Sequence, residues 1–155
     1  MNNDSNSTQH AHDDELQLYI LGRLSTVDVD VLERHLLQCP ECQKRLDASA
    51  RFVAAIVDLK KTHGRSERRS GPRFRASDTG LLRCLSPFIP NRWTIQIIDV
   101  SQNGLGGFVA TNLLPGALVQ VHIGETFAFG EVRYSKQIAE HQFRVGIRLQ
   151  DQAKY

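Results

Sequence analysis

The spacing of apolar residues changes period near residue 64, and that change divides the chain. Before it, apolar positions recur every three or four residues, as along one face of a helix. Leu16, Tyr19 and Ile20 predict a short first helix that opens near Asp13 and Asp14 and stops by Gly22. Ser25, with Asp28 three places on, predicts an N-cap, because a serine hydroxyl can accept from the backbone N–H at the third helical position. Val27, Val31, Leu32 and Leu36 then predict the apolar face of a second helix. Pro40 suits the first turn of a third, where its missing N–H costs no hydrogen bond. Leu46, Ala50, Val53, Ile56 and Val57 carry that helix toward Lys61, with Gly64 as its stop.

After about residue 76 the period becomes two. Phe143, Val145, Ile147 and Leu149 alternate with Arg144, Gly146 and Arg148. Val119, Val121 and Ile123 alternate with Gln120 and His122, and Ile95 and Ile97 with Thr94 and Gln96. Such strands keep one face in a core and the other in water, so Gln120 and His122 are expected at the surface, as are His63 and His141. Turn signals fall at Pro87 to Asn91, Gln102 to Gly104, Pro115-Gly116 and Gly124-Glu125. About six strands result, spaced as in a small antiparallel barrel. The expected fold class is α+β. A disordered N-terminus (1–9) leads into a helical domain (10–63), then an arginine-rich linker (64–76), then a barrel (77–151).

Charge sharpens this division. Residues 1–63 carry seven Lys/Arg against ten Asp/Glu, and residues 64–155 carry twelve against seven. Five arginines between Arg65 and Arg75 face one Glu67, a cluster that attracts phosphate or nucleic acid or simply forms a solvated basic linker. The apolar stretches are too short for a bilayer, so no membrane association is expected. Met1 to Thr8 has neither the basic start nor the apolar run of a signal peptide, and a cytoplasmic protein is expected. Three cysteines do not make a disulfide framework; two of them, three positions apart, fit metal or redox chemistry better.

Two constellations carry the chemistry. His35, Cys39 and Cys42 form H-x3-C-x2-C, which lets an imidazole and two thiolates reach one ion across a helix–turn–helix corner. Such a mixed nitrogen–sulfur set suits zinc, and a closed site needs a fourth ligand, for which His10 and His12 are candidates. Cys84 lies in an apolar run and reads as a core residue. The second constellation is Arg69 and Arg73, followed after 25 residues by Asp99, Ser101 and Gly104. Arginine forks bind phosphate or a guanine edge, a carboxylate accepts from guanine N–H groups, and a glycine lets backbone pass close by. Arg68 is an extra donor beside them, and Gly106 and Gly107 read as barrel-bend residues.

Residues 10–46, from His10 through Tyr19, Gly22, Glu33, His35-Leu36 and Cys39-Pro40-Glu41-Cys42 to Leu46, resemble the zinc-binding anti-sigma factor domain. The resemblance implies a structural zinc held by His10, His35, Cys39 and Cys42, with a sigma factor as one possible kind of protein partner. It also implies a further clasping helix, which strands replace here. Residues 65–151, from Glu67-Arg68-Arg69-Ser70-Gly71-Pro72-Arg73-Phe74 through Ile98-Asp99-Val100-Ser101 and Gly104-Leu105-Gly106 to Val145-Gly146-Ile147, resemble the PilZ domain. That resemblance implies a six-stranded antiparallel barrel binding cyclic di-GMP through Arg69, Arg73, Asp99, Ser101 and Gly104. The expected protein is a bacterial regulator that relays cyclic di-GMP to a partner through the zinc-stabilised helices. The alternative is an anti-sigma or transcription-regulatory adaptor with the barrel as scaffold. Direct nucleic-acid binding is not expected, because few aromatics accompany the basic run. No enzymatic constellation is visible in the sequence.

Overall fold

The structure, a computed structural model, describes residues 9–63, 76–101, 104–124 and 126–154. Three helices come first: α1 (Asp13–Ile20), α2 (Thr26–Gln38) and α3 (Pro40–His63). Six strands follow: β1 (Thr79–Ser86), β2 (Phe88–Ser101), β3 (Gly104–Val109), β4 (Leu118–Ile123), β5 (Thr126–Ala139) and β6 (Gln142–Lys154). The strands close an antiparallel barrel in the order β1-β2-β3-β6-β5-β4, with β4 returning to pair β1. Closure leaves no free sheet edge.

Local signals set the helix ends. The Ser25 hydroxyl accepts from the Asp28 N–H at 3.2 Å, capping α2. Gly22 takes φ +68° just past α1, a conformation glycine adopts without steric cost. The Pro87 to Asn91 signal overstates its turn. Only Pro87 lies between strands, and Phe88 already pairs with Leu85 across a hairpin that carries a bulge at Arg83/Cys84.

Two cores result. One fills the barrel, where Leu82, Ile95, Ile97, Val119, Val121 and Val145 are buried. The other lies between helices and barrel. Leu16, Ile20, Leu36 and Leu46 meet Leu85, Leu118, Phe127 and Phe129 there. Phe127 and Phe129 are fully buried although they alternate with the barrel-facing Ala128. This strand is therefore apolar on both faces, as strands covered on both sides are.

The helical layer corrects four expectations. Val27 and Val31 are 73% and 58% exposed, whereas Leu32 and Leu36 are buried. At 100° per residue the first pair points about 140° away from the second, so one face cannot hold both. Ile56 on α3 is likewise exposed, while Ala54 takes a buried place. On β4, Gln120 is fully buried, not solvated. Its Nε2 donates to the carbonyls of Tyr19 and Ile20, at 2.6 Å each, capping the C-terminus of α1. His122 is no surface residue either. Its ring packs on Phe127 with centroids 5.2 Å apart, and Nε2 lies 3.5 Å from Gln120 Oε1. Burial pushes its pKa down to about 4, and the nearby Arg83 and Arg92 guanidiniums add to that.

An ionic contact joins the same two layers. Glu33 of α2 accepts from the Tyr19 hydroxyl at 2.9 Å and pairs with Arg83 of β1 at 3.2 Å and with Arg92 of β2. Burial and the Glu33 carboxylate push the Tyr19 phenol up, so it remains a donor. Farther along α3, Asp47 accepts from the Ser86 hydroxyl at the end of β1 and pairs with Arg51 at 3.3 Å.

Candidate metal centre and barrel surface

Four metal-ligating side chains converge at one corner of the helical layer. His10 precedes α1, His35 lies in the last turn of α2, Cys39 is the α2 C-cap, and Cys42 sits in the first turn of α3. The extended backbone at Cys39 reverses the chain so that Pro40 can open α3, which turns both sulfurs toward His35. The Gln43 amide donates to the Leu36 carbonyl at 2.6 Å and holds the corner.

Three of the ligand–ligand distances match the edges of one tetrahedral ion, and the rest bring all four ligands within reach of it. His10 Nδ1 lies 3.4 Å from both sulfurs, His35 Nε2 lies 3.2 Å from Cys42 Sγ, and all four ligand atoms fall within 4.8 Å of one another. Zinc–nitrogen bonds of about 2.0–2.1 Å and zinc–sulfur bonds of about 2.3 Å give tetrahedral edges of roughly 3.3–3.8 Å. His10, not His12, completes the set; His12 is the N-cap residue of α1. Cys42 is fully buried and Cys39 nearly so, while His10 is exposed. Burial raises the Cys42 thiol, and the Ala11 N–H and the Arg45 guanidinium oppose that rise. Arg45 is itself paired with Asp13. A bound cation would be what holds both sulfurs as thiolates. The free Cys84 is a different case. It is buried, donates to the Pro87 carbonyl at 3.1 Å, and is pushed up to about 11, as suits a core residue.

On the barrel, Asp99, Ser101 and Gly104 share the β2–β3 corner. Ser101 pairs with Gly104 in register, and the Ser101 hydroxyl lies 3.4 Å from the Gly104 carbonyl. Asp99 is exposed and bonds Arg144 of β6 at 3.0 Å. Arg68, Arg69 and Arg73 lie outside the described residues.

The neighbouring strands add a floor the sequence reading did not assign. Asp99, Gly106, Gly146 and Tyr134 occupy one row across β2, β3, β6 and β5. A Cβ on Gly106 would lie 2.5 Å from Asp99 Oδ1, and one on Gly146 would lie 2.2 Å from the Tyr134 ring. The Asp99 carboxylate and the Tyr134 ring therefore lean over a side-chain-free strip. Gly106 is thus more than a bend residue, whereas Gly107 packs on the Gln96 carbonyl and Ile95. Arg144 and Arg148 flank Gly146 on the same strand face. The Arg-x-Gly-x-Arg alternation was the available signal.

Residues 11–43 match the model of a protein family described as "Putative zinc-finger". The match ends just past Cys42 and covers the corner that holds three of the four ligands. No PilZ match accompanies the barrel. No curated protein matches the chain. Among the described residues, no helix is long and apolar enough to cross a membrane.

Proposed function

We propose that this chain is a signalling adaptor in which a zinc-stapled helical module is docked on a barrel that binds cyclic di-GMP. A regulatory role has the support of the zinc-finger match together with the converging His10, His35, Cys39 and Cys42. Those four residues would hold zinc. With four protein ligands the ion supplies a structural cross-link and leaves no open position for a substrate. It would tie the segment before α1 to the α2–α3 corner, a useful staple in so small a module.

The cyclic di-GMP reading rests on one observation above others. Asp99, Ser101 and Gly104, chosen from the sequence alone, lie together on an exposed barrel corner beside Arg144 and a glycine floor. A carboxylate acceptor, a hydroxyl and nearby guanidinium suit a purine edge and a phosphate. Arg69 and Arg73 would supply the remaining forks. Calorimetric titration with cyclic di-GMP tests this directly. Saturable binding, lost in Arg69→Ala, Arg73→Ala and Asp99→Ala while metal content stays at one equivalent, supports it; undiminished binding in all three variants, or none in the wild type, refutes it.

A second reading keeps the barrel as scaffold and makes the helices an adaptor for a sigma factor or another regulatory protein. The exposed Leu18, Val27, Val31 and Phe52 on the helical layer favour it. Capture of a sigma factor by the full chain, unchanged by cyclic di-GMP, would select this reading over the first.

A further inference from the structure

Between the helical layer and the β1–β2 hairpin lies a cleft with a volume of about 320 Å³. That is near the lower end of the roughly 300–1,000 Å³ of small-molecule sites. Its walls differ in character. Leu37, Phe88, Ile89 and Pro90 form an apolar side; Tyr19, Glu33, Arg83 and Arg92 form a polar one.

The polar wall is not electrically balanced. Two guanidiniums share the single Glu33 carboxylate, which leaves one net positive charge. Moreover, Arg83 Nε is buried without a hydrogen-bond partner among the described residues. Buried donors are ordinarily satisfied, and one that is not costs free energy until an acceptor reaches it. The field of the pair is also felt beyond the cleft, since Arg83 and Arg92 both help to hold His122 neutral.

We propose that this cleft is a binding site for a small monoanion with an apolar body, such as an aryl or short acyl carboxylate. The carboxylate would sit against Arg83 and Arg92, and the hydrocarbon against Leu37, Phe88 and Ile89. Such a ligand touches α2 through Leu37 and the barrel through β1 and β2. Its occupancy therefore stabilises the docked arrangement of the two parts by simple mass action. The site is separate from both the metal corner and the Asp99 surface, and it stands whether or not the chain binds a cyclic dinucleotide.

The test is methyl NMR of the full-length, zinc-loaded chain titrated with octanoate and benzoate, with octan-1-ol and benzyl alcohol as neutral counterparts. The expected result is saturable movement of the Leu37 and Ile89 methyl signals, with Kd on the order of millimolar for at least one anion. The neutral counterpart should bind roughly tenfold more weakly, because it forgoes charge-assisted hydrogen bonds. Arg92→Gln should weaken the anion by a similar factor. Ile89→Trp, which keeps both arginines and fills the cleft, should abolish binding. Retained zinc and a cooperative melting transition qualify each variant as folded. Still methyl signals with both anions, equal affinity for anion and alcohol, or undiminished binding in folded Ile89→Trp would overturn the assignment.

Discussion

Replacing Gln120 by Leu removes the polar joint between β4 and α1 at nearly constant volume. In the wild type, Gln120 Nε2 donates to two carbonyls at 2.6 Å. After substitution the Tyr19 carbonyl still accepts from the Gly22 N–H at 3.1 Å, but the Ile20 carbonyl loses its partner. The site is fully buried, so water does not readily replace that partner. One orphaned buried carbonyl costs about 1–3 kcal/mol, and the leucine returns little of this because the cavity is built around an amide. For a chain of 155 residues that corresponds to a fall in Tm of roughly 2–10 °C. Denaturant unfolding followed by circular dichroism measures the loss. Amide exchange at Leu21 and Arg23, whose N–H groups close the end of α1, should accelerate in the same variant. Gln96→Leu, at an exposed position on β2, serves as control and should stay within about 0.5 kcal/mol of wild type. A Gln120→Leu protein as stable as the control, with unchanged exchange at both amides, would refute the idea that this amide holds the helices to the barrel.

Other outcomes follow from the same contacts. His10→Ala should weaken zinc by more than the roughly 10–100-fold typical of outer-shell changes, and His12→Ala should not; competition with a chromophoric chelator distinguishes them. The His122 pKa is lower in the folded chain than unfolded, so its contribution is intact above about pH 6.5 and fades as pH falls toward 4. Below that it amounts to a loss of about 3 kcal/mol, a loss that His122→Phe should lack in urea melts at several pH values. Gly106→Ala should displace only the exposed Asp99 carboxylate, leaving Tm nearly unchanged while cyclic di-GMP binding falls. Gly107→Ala meets the Gln96 carbonyl at 2.6 Å and should lower Tm instead; thermal melts paired with calorimetry separate the two.

Much of this molecule is local and therefore legible in the chain. The change from a 3.6-residue to a two-residue period names three helices and then strands, because each element must turn its apolar positions toward a core. The Ser25 cap and the Gly22 turn depend only on neighbours a few residues away. The metal corner is almost as local, since His35, Cys39 and Cys42 lie within eight residues. Only His10 arrives from farther off, and it was chosen by resemblance and then found beside both sulfurs.

Tertiary structure decided what covers the second face of each element. A two-residue period shows that Gln120 and His122 oppose Val119 and Val121; it cannot show that a helix lies over them. The same holds for Phe127 and Phe129, which an open strand would expose and the helical layer buries. Glu33, Arg83 and Arg92 are separated by 50 residues or more from helix to strand, so their meeting depends on how the layers dock. Periodicity records that a residue has a side; only packing in three dimensions determines whether that side meets water, a metal, a ligand or another part of the chain.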